Sequence, residues 1–188
     1  MMMDGYRDVL RRQIMWESVQ WPGSEHLDLR ADAEGVVADG VVLAAPEGDP
    51  IRLAYRVECD ADWQTRFLSV QFHGDSRRTL VRDDAGNWSE DGRARPDLNG
   101  CTDIDIALTP FTNTLPIRRL GLAAGDAADL RIVYVQPAPE PLFSAADQRY
   151  TRLADDRYRY ESGDFQSEIE VDRDGLVTAY PGLWAMAS

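Results

Sequence analysis

The sequence predicts an all-β protein, and three observations lead to that prediction. Hydrophobic and polar residues alternate through much of the chain, which is typical of strands with one buried face. Asp-Gly and Ala-Gly pairs recur at short intervals, and such pairs supply the positive φ angles of tight hairpin turns. Helical periodicity is weak, and only residues 4–16 suggest one or two helical turns. We therefore expect a meander-like barrel or a strongly curved antiparallel sheet with little helix.

The individual strands follow from this alternation and from the turns between them. The run 51–59 is the clearest example, because Ile51, Leu53, Tyr55, Val57 and Cys59 share one face of a strand. Turns are predicted at Asp39-Gly40, Ala85-Gly86, Asp91-Gly92 and Asp174-Gly175. About ten or eleven short strands result, at 25–31, 35–37, 41–44, 51–59, 63–73, 79–82, 87–90, 130–136, 158–161, 168–171 and 176–179. The proline-rich residues 137–141 predict a crossing loop.

Composition limits the domain count and the partners. A chain of 188 residues is expected to form one domain over residues 1–188. The net charge of −13 argues against nucleic acid and against docking on anionic membranes. No run of about 20 apolar residues, as membrane insertion requires, and no signal peptide is visible, so we expect a cytoplasmic protein. Cys59 and Cys101 are too few for a disulfide framework or a cysteine-rich zinc site, and we expect buried free thiols.

Residues 96–120 contain the strongest candidates for chemistry. Asp103 and Asp105 alternate along a predicted strand at 101–106, and paired carboxylates could bind a cation or perform acid–base work. The alternative interpretation is structural, with both aspartates on a solvent-facing edge of the strand. The threonines and asparagine of 109–116 could recognise sugar hydroxyls or merely bond the loop's own backbone. Arg118 and Arg119 would point to opposite faces of a strand, where one pairs with an aspartate or anchors an anionic head group.

Aromatic residues are the remaining indication of a ligand site. Tryptophans and tyrosines could line an apolar cavity with hydrogen-bonding tips, or simply form the core; they include Trp16, Trp21, Trp63, Trp88, Trp184, Tyr55, Tyr134, Tyr150, Tyr158, Tyr160 and Tyr180. The two histidines, His26 and His73, lack ligand-like spacing, so we expect no metal and no cofactor.

Several of these motifs together resemble a known family. They are Asp62-Trp63, Gly86-Asn87-Trp88, 98–105, 109–120, Gln148-Arg149-Tyr150-Thr151, 175–177 and 180–184. The chain is thereby similar, from about residue 16 to residue 184, to the putative glycolipid-binding family of bacterial proteins, a domain of unknown function. The resemblance implies the fold of the Lol-type lipoprotein carriers, a single curved antiparallel sheet that forms an open half-barrel around an apolar cavity. It implies no catalytic residues.

We expect a non-enzymatic intracellular binding protein that holds a lipid-like or glycolipid-like ligand on the concave face of its sheet. The candidate ligand-binding residues are Asn113, Arg118, Arg119, Tyr55 and Trp88. One alternative is an enzyme that acts on a sugar or lipid through Asp103, Asp105 and an arginine. Another is an interaction protein that forms a homodimer through its sheet edge or outer face.

Overall fold

The computed structural model describes residues 9–74, 77–136 and 142–187. The crossing loop predicted at 137–141 lies outside these ranges. Within them, fifteen strands form one sheet. Their bounds are β1 Leu10–Ser18, β2 Gly23–Ala31, β3 Val36–Ala44, β4 Ile51–Cys59, β5 Thr65–Phe72, β6 Arg78–Arg82, β7 Trp88–Glu90, β8 Arg93–Ala94, β9 Asp103–Ile106, β10 Ala127–Gln136, β11 Leu142–Ala154, β12 Arg157–Ser162, β13 Phe165–Val171, β14 Val177–Tyr180 and β15 Trp184–Met186.

The sheet is a meander whose order is β8-β7-β6-β5-β4-β3-β2-β1-β15-β14-β13-β12-β11-β10-β9. Neighbouring strands are antiparallel except β9 and β10, which are parallel. The first and last strands pair with each other, Trp16 opposite Met186 and Ser18 opposite Trp184. The sheet is strongly curved and is not closed into a barrel, so the expected open half-barrel is confirmed.

A short helical segment lies across the concave face. It consists of a 3-10 turn, Phe111–Asn113, followed by α1, Thr114–Leu120. Phe111 and Leu115 are fully buried, and the Phe111 ring stacks on Tyr55 of β4 at 6.3 Å. Because the same segment also contacts β9 and β11, as described below, it fills the middle of the half-barrel with apolar side chains.

Residues 95–102 cover the gap between the two ends of the sheet. Trp88 Nε1 donates to the carbonyl of Cys101 at 3.0 Å, and Arg95 Nη2 donates to the carbonyl of Phe143 on β11 at 2.8 Å. Leu98 between them is fully buried. On this side a loop therefore covers the half-barrel, and hydrogen bonds from side chains to backbone carbonyls attach it to β7 and β11.

Four predictions about local structure are wrong, and three of them concern the strands. Helical turns were predicted at 4–16, of which 4–8 lie outside the described ranges; residues 9–16 belong to a loop and to β1. Arg12 lies in the inward register of β1, where it pairs with Asp172 and Asp174. Asp39-Gly40 makes no turn, because β3 runs through it. The described residues also contain more strands than the ten or eleven expected, because β1, β11 and the short β8 and β15 were missed.

Residues 118–119 were interpreted as a strand, but they form the last turn of α1. Pro116 is the third residue of that helix, within the first turn, where its missing N–H costs no hydrogen bond. Gly121 then ends the helix with φ +52°, the left-handed conformation common after a helix C-terminus.

None of the helices in the described ranges has the length and apolar character to cross a lipid bilayer. Both cysteines are buried and free.

Candidate functional site

The candidate site is a cavity of about 520 Å³ at the end of the half-barrel where β1 ends and β15 begins. The strands supply one wall and the segment before α1 supplies the other. Its lining residues are Asp105, Ile106, Ala107, Thr109, Asn113, Tyr134, Ala146, Tyr160, Ser162, Phe165, Tyr180, Leu183 and Trp184. We call this space the aromatic cavity, because five of these residues have aromatic rings.

Three rings form a continuous wall of the aromatic cavity. The Tyr160 and Phe165 ring centroids are 6.0 Å apart, and each lies 6.4 Å from the Tyr180 centroid. The rings meet edge to face or tilted, as aromatic side chains prefer. Tyr160 and Tyr180 are buried, whereas Phe165 is 46% exposed. Phe165 therefore lies at the mouth of the cavity and presents an apolar surface to an entering ligand.

Asp105 is the one charged side chain among the described residues that line the aromatic cavity. Its Oδ2 accepts hydrogen bonds from Gln148 Nε2 at 2.6 Å and from the Tyr160 hydroxyl at 3.1 Å. Its Oδ1 accepts one from the Thr112 hydroxyl at 3.0 Å. Burial raises the pKa of Asp105, although these three hydrogen bonds lower it. The carboxyl is thus held in a fixed orientation beside the aromatic wall.

Asn113 and Thr109 line the other side of the cavity. The Tyr150 hydroxyl donates to Asn113 Oδ1 at 2.8 Å, and Asn113 Nδ2 donates to the carbonyl of Pro110 at 3.2 Å. That bond uses one of the two hydrogens of the amide nitrogen. The Thr109 hydroxyl accepts from the N–H of Phe111 at 3.0 Å. The bonds from Asn113 to Pro110 and from Phe111 to Thr109 satisfy the loop's own backbone, as one interpretation of the sequence expected.

Behind Thr109 lies a fully buried glutamate, Glu25 of β2. Thr109 and Tyr55 both donate hydroxyl hydrogen bonds to Glu25 Oε1. Oε2 of Glu25 has no hydrogen-bond partner among the described residues. Burial raises the pKa of Glu25 to about 8, although the hydrogen bonds from Tyr55 and Thr109 lower it. This contact fixes the position of the loop that forms the cavity wall.

The opposite end of the half-barrel has an open groove of about 760 Å³, lined in part by Trp63, Arg118 and Arg119. The Arg118 guanidinium lies 5.0 Å above the Trp63 ring. Arg119 forms an ion pair with the fully buried Asp103, with an Nη2–Oδ2 distance of 2.6 Å. The sequence-based expectation of an arginine–aspartate pair is confirmed. The expectation of solvent-facing aspartates is wrong, because the helical segment covers that face of β9.

The five sequence-predicted ligand residues do not come together. Asn113 lines the aromatic cavity, whereas Arg118 and Arg119 lie at the far end of α1. Tyr55 is buried behind Thr109, and Trp88 is buried in the loop-covered gap of the sheet. Their roles in ligand binding stay predictions.

Sequence reasoning missed Phe165 and Ser162 as cavity residues, and it considered Asp105 for cation binding, acid–base catalysis or an ion pair but not for ligand binding. Tyr160 and Tyr180 were among the aromatic candidates. A signal was present in the sequence, because Tyr158 and Tyr160 alternate in one strand and Phe165 follows directly after the Gly163 turn. The local sequence pattern, however, does not indicate that these rings face the same cavity as Asp105.

Within the described ranges, no three histidine, cysteine, aspartate or glutamate side chains come together as a set of metal ligands.

Comparisons with known proteins agree with this architecture. A family model described as putative glycolipid-binding matches residues 13–186. A crystal structure of a DUF1089 family protein from Pseudomonas aeruginosa is similar, with 40% sequence identity and a TM-score of 0.75. That match covers 86% of this chain and 91% of the other. A comparison with curated proteins gave no match.

Proposed function

The chain belongs to the family described as putative glycolipid-binding, and we propose that it is a non-enzymatic protein that binds a lipid-like or glycolipid-like ligand in the aromatic cavity. The observation that carries the proposal is the combination of an apolar aromatic wall with a few oriented polar groups in one concave space. Ligand sites commonly enclose about 300–1,000 Å³ with this kind of lining, and the aromatic cavity has about 520 Å³.

The distribution of polar and apolar groups fits an amphiphilic ligand. Asp105 and Asn113 lie on the inner surfaces, and the half-exposed Phe165 lies at the mouth. A polar head group would find hydrogen-bond partners inside, and an alkyl chain would pack on the rings of Phe165 and Tyr180 toward the opening. Burial of each chain methylene contributes about 0.8 kcal/mol.

The first test is organic extraction of the purified protein followed by mass spectrometry of the extract, together with calorimetric titration of dodecyl glucoside. We expect co-purified lipid or saturable binding with one site. The Ala146→Phe variant should reduce affinity at least about tenfold, because its side chain enters the cavity. Ala145→Phe is the matched control, since neighbouring strand residues point to opposite faces. Absence of both extracted lipid and titratable binding would remove the basis of the proposal.

An enzyme acting through Asp103, Asp105 and an arginine is the alternative from a different class. The geometry favours binding over this alternative, because the Asp103 carboxylate is already paired with Arg119 and lies outside the cavity lining. Asp105 alone faces the cavity among these groups. Turnover of a sugar or lipid substrate that is abolished by Asp105→Asn in a folded protein would instead support the enzyme.

Intracellular location and homodimerisation are also part of the proposal. The free thiols of Cys59 and Cys101 are usual for proteins in a reducing compartment. Cell fractionation tests the location, and analytical ultracentrifugation of the purified chain tests self-association.

A further inference from the structure

We propose that the aromatic cavity selects ligands by the charge of their head group, and that Asp105 makes this selection. The cavity accepts an uncharged, hydroxyl-bearing head group and rejects an anionic one such as a phosphate. This inference rests on the proposed function, because it specifies which amphiphile the same cavity would take.

Asp105 has hydrogen-bonding capacity that the protein does not use in full. A carboxylate offers about four acceptor positions, and the protein occupies three of them through Gln148, Tyr160 and Thr112. The three bonds hold the carboxyl in place and leave acceptor capacity on Oδ1. A sugar hydroxyl can donate to that position, whereas a fully ionised phosphate monoester has no hydrogen to donate.

No cationic side chain lies among the described residues that line the cavity. An anionic head group beside Asp105 would meet a like charge in surroundings of low dielectric constant, where charge repulsion is strong. Arg119 is engaged by the buried Asp103, and Arg118 lies over Trp63 at the other end of α1. The net charge of −13 adds repulsion at long range.

The arrangement of the aromatic rings favours a sugar over a quaternary ammonium group. A quaternary ammonium is held by rings placed around it. The Tyr160, Phe165 and Tyr180 rings instead contact one another, with centroids 6.0–6.4 Å apart. They form one continuous surface, on which the C–H face of a sugar ring can lie while its hydroxyl groups point to Asp105.

The test compares two amphiphiles with the same alkyl chain, dodecyl glucoside and dodecyl phosphate, titrated calorimetrically below their critical micelle concentrations. We expect the wild-type chain to bind the glucoside at least about tenfold more tightly. Asp105→Asn should bring the ratio of the two dissociation constants close to one, mainly through a gain in affinity for the phosphate. Asp84→Asn is the matched control, because it removes the same charge from a fully exposed side chain and should keep the wild-type ratio.

A second pair of variants leaves Asp105 in place, in case its replacement prevents folding. Ala146→Arg puts a cation on the cavity wall and should shift the ratio toward the phosphate, whereas Ala145→Arg on the other face of β11 should not. Equal binding of both amphiphiles by the wild type, or an unchanged ratio in Asp105→Asn, overturns charge selection and leaves the proposed function intact. Failure of both amphiphiles to bind, with no lipid extracted, removes the proposed function and this inference together.

Discussion

Replacement of Glu25 by glutamine should make the stability of the fold less sensitive to alkaline pH. Glu25 is fully buried in β2 and accepts hydrogen bonds from Tyr55 and Thr109. Its carboxylate form is disfavoured because burial removes it from water, and the pKa in the folded protein rises from 4.5 to about 8. In the unfolded chain the same carboxyl regains water and ionises at its ordinary pKa.

These two pKa values determine the direction and the size of the pH dependence of the free energy of unfolding. The folded protein keeps the proton over a pH range in which the unfolded chain has lost it, so rising pH favours unfolding. The contribution of Glu25 to the free energy of unfolding is complete below about pH 4.5 and is lost as pH rises through about 8. At about 1.4 kcal/mol per pH unit, the difference between 4.5 and about 8 corresponds to about 5 kcal/mol.

The assay is urea unfolding of the wild type and Glu25→Gln at pH 5 and pH 9. The substitution should lower the free energy of unfolding by about 1–3 kcal/mol at both pH values, because the amide hydrogens of glutamine lack a buried acceptor. The free energy of unfolding of the variant, relative to that of the wild type, should rise by several kcal/mol between pH 5 and pH 9, because the wild type loses stability over this range and glutamine does not titrate. Glu34→Gln, at an exposed position, is the matched control. The same stability difference at both pH values, within about 1 kcal/mol, contradicts the reasoning about burial.

Two further substitutions test the packing around the helical segment. Arg119→Ala should lower the free energy of unfolding by about 3–5 kcal/mol, because it leaves the buried Asp103 without its cation. Arg118→Ala, at an exposed position, should lower it by less than about 1 kcal/mol. Equal losses in the two variants would contradict a stabilising role for the Arg119–Asp103 ion pair. Gly40→Ala should lower the free energy of unfolding by about 1–3 kcal/mol or more, because the new Cβ would lie 2.1 Å from the Tyr55 ring. Thermal or urea unfolding measures this loss, and an unchanged stability would refute the close approach of Gly40 to Tyr55.

Strand alternation was sufficient to predict much of the sheet, although the longest strand, β11, was missed; two other exceptions have physical causes. The run 51–59 is β4 as predicted, since its alternating apolar residues face a single core. In β1 the inward register includes Arg12, whose charge is compensated by Asp172 and Asp174 far along the chain. Gly40 in β3 makes room for the Tyr55 ring and does not make a turn. Both exceptions depend on contacts between distant residues, which a local pattern does not contain.

The candidate site was predictable only in part, for the same reason. Asn113 was chosen for its position in a polar proline-braced loop, and it does line the aromatic cavity. Arg118 and Arg119 follow within six residues, yet α1 carries them to the other end of the half-barrel. Asp105 looked solvent-facing because the sequence does not show that the helical segment covers its side of β9.

The attachment of the helical segment explains why charge selection by a single carboxylate is physically reasonable. Buried polar contacts tie the segment and the loop before it to both halves of the sheet, through Thr109 of the loop to Glu25 on β2 and through Asn113 to Tyr150 on β11. Breaking a buried contact of this kind would leave unsatisfied polar groups, at about 1–3 kcal/mol each. The cavity wall is therefore formed before a ligand arrives, and Asp105 is held by its own three donors. A charge that cannot turn away from an incoming anion has to repel it, whereas a flexible one could rotate toward water and lose its selectivity.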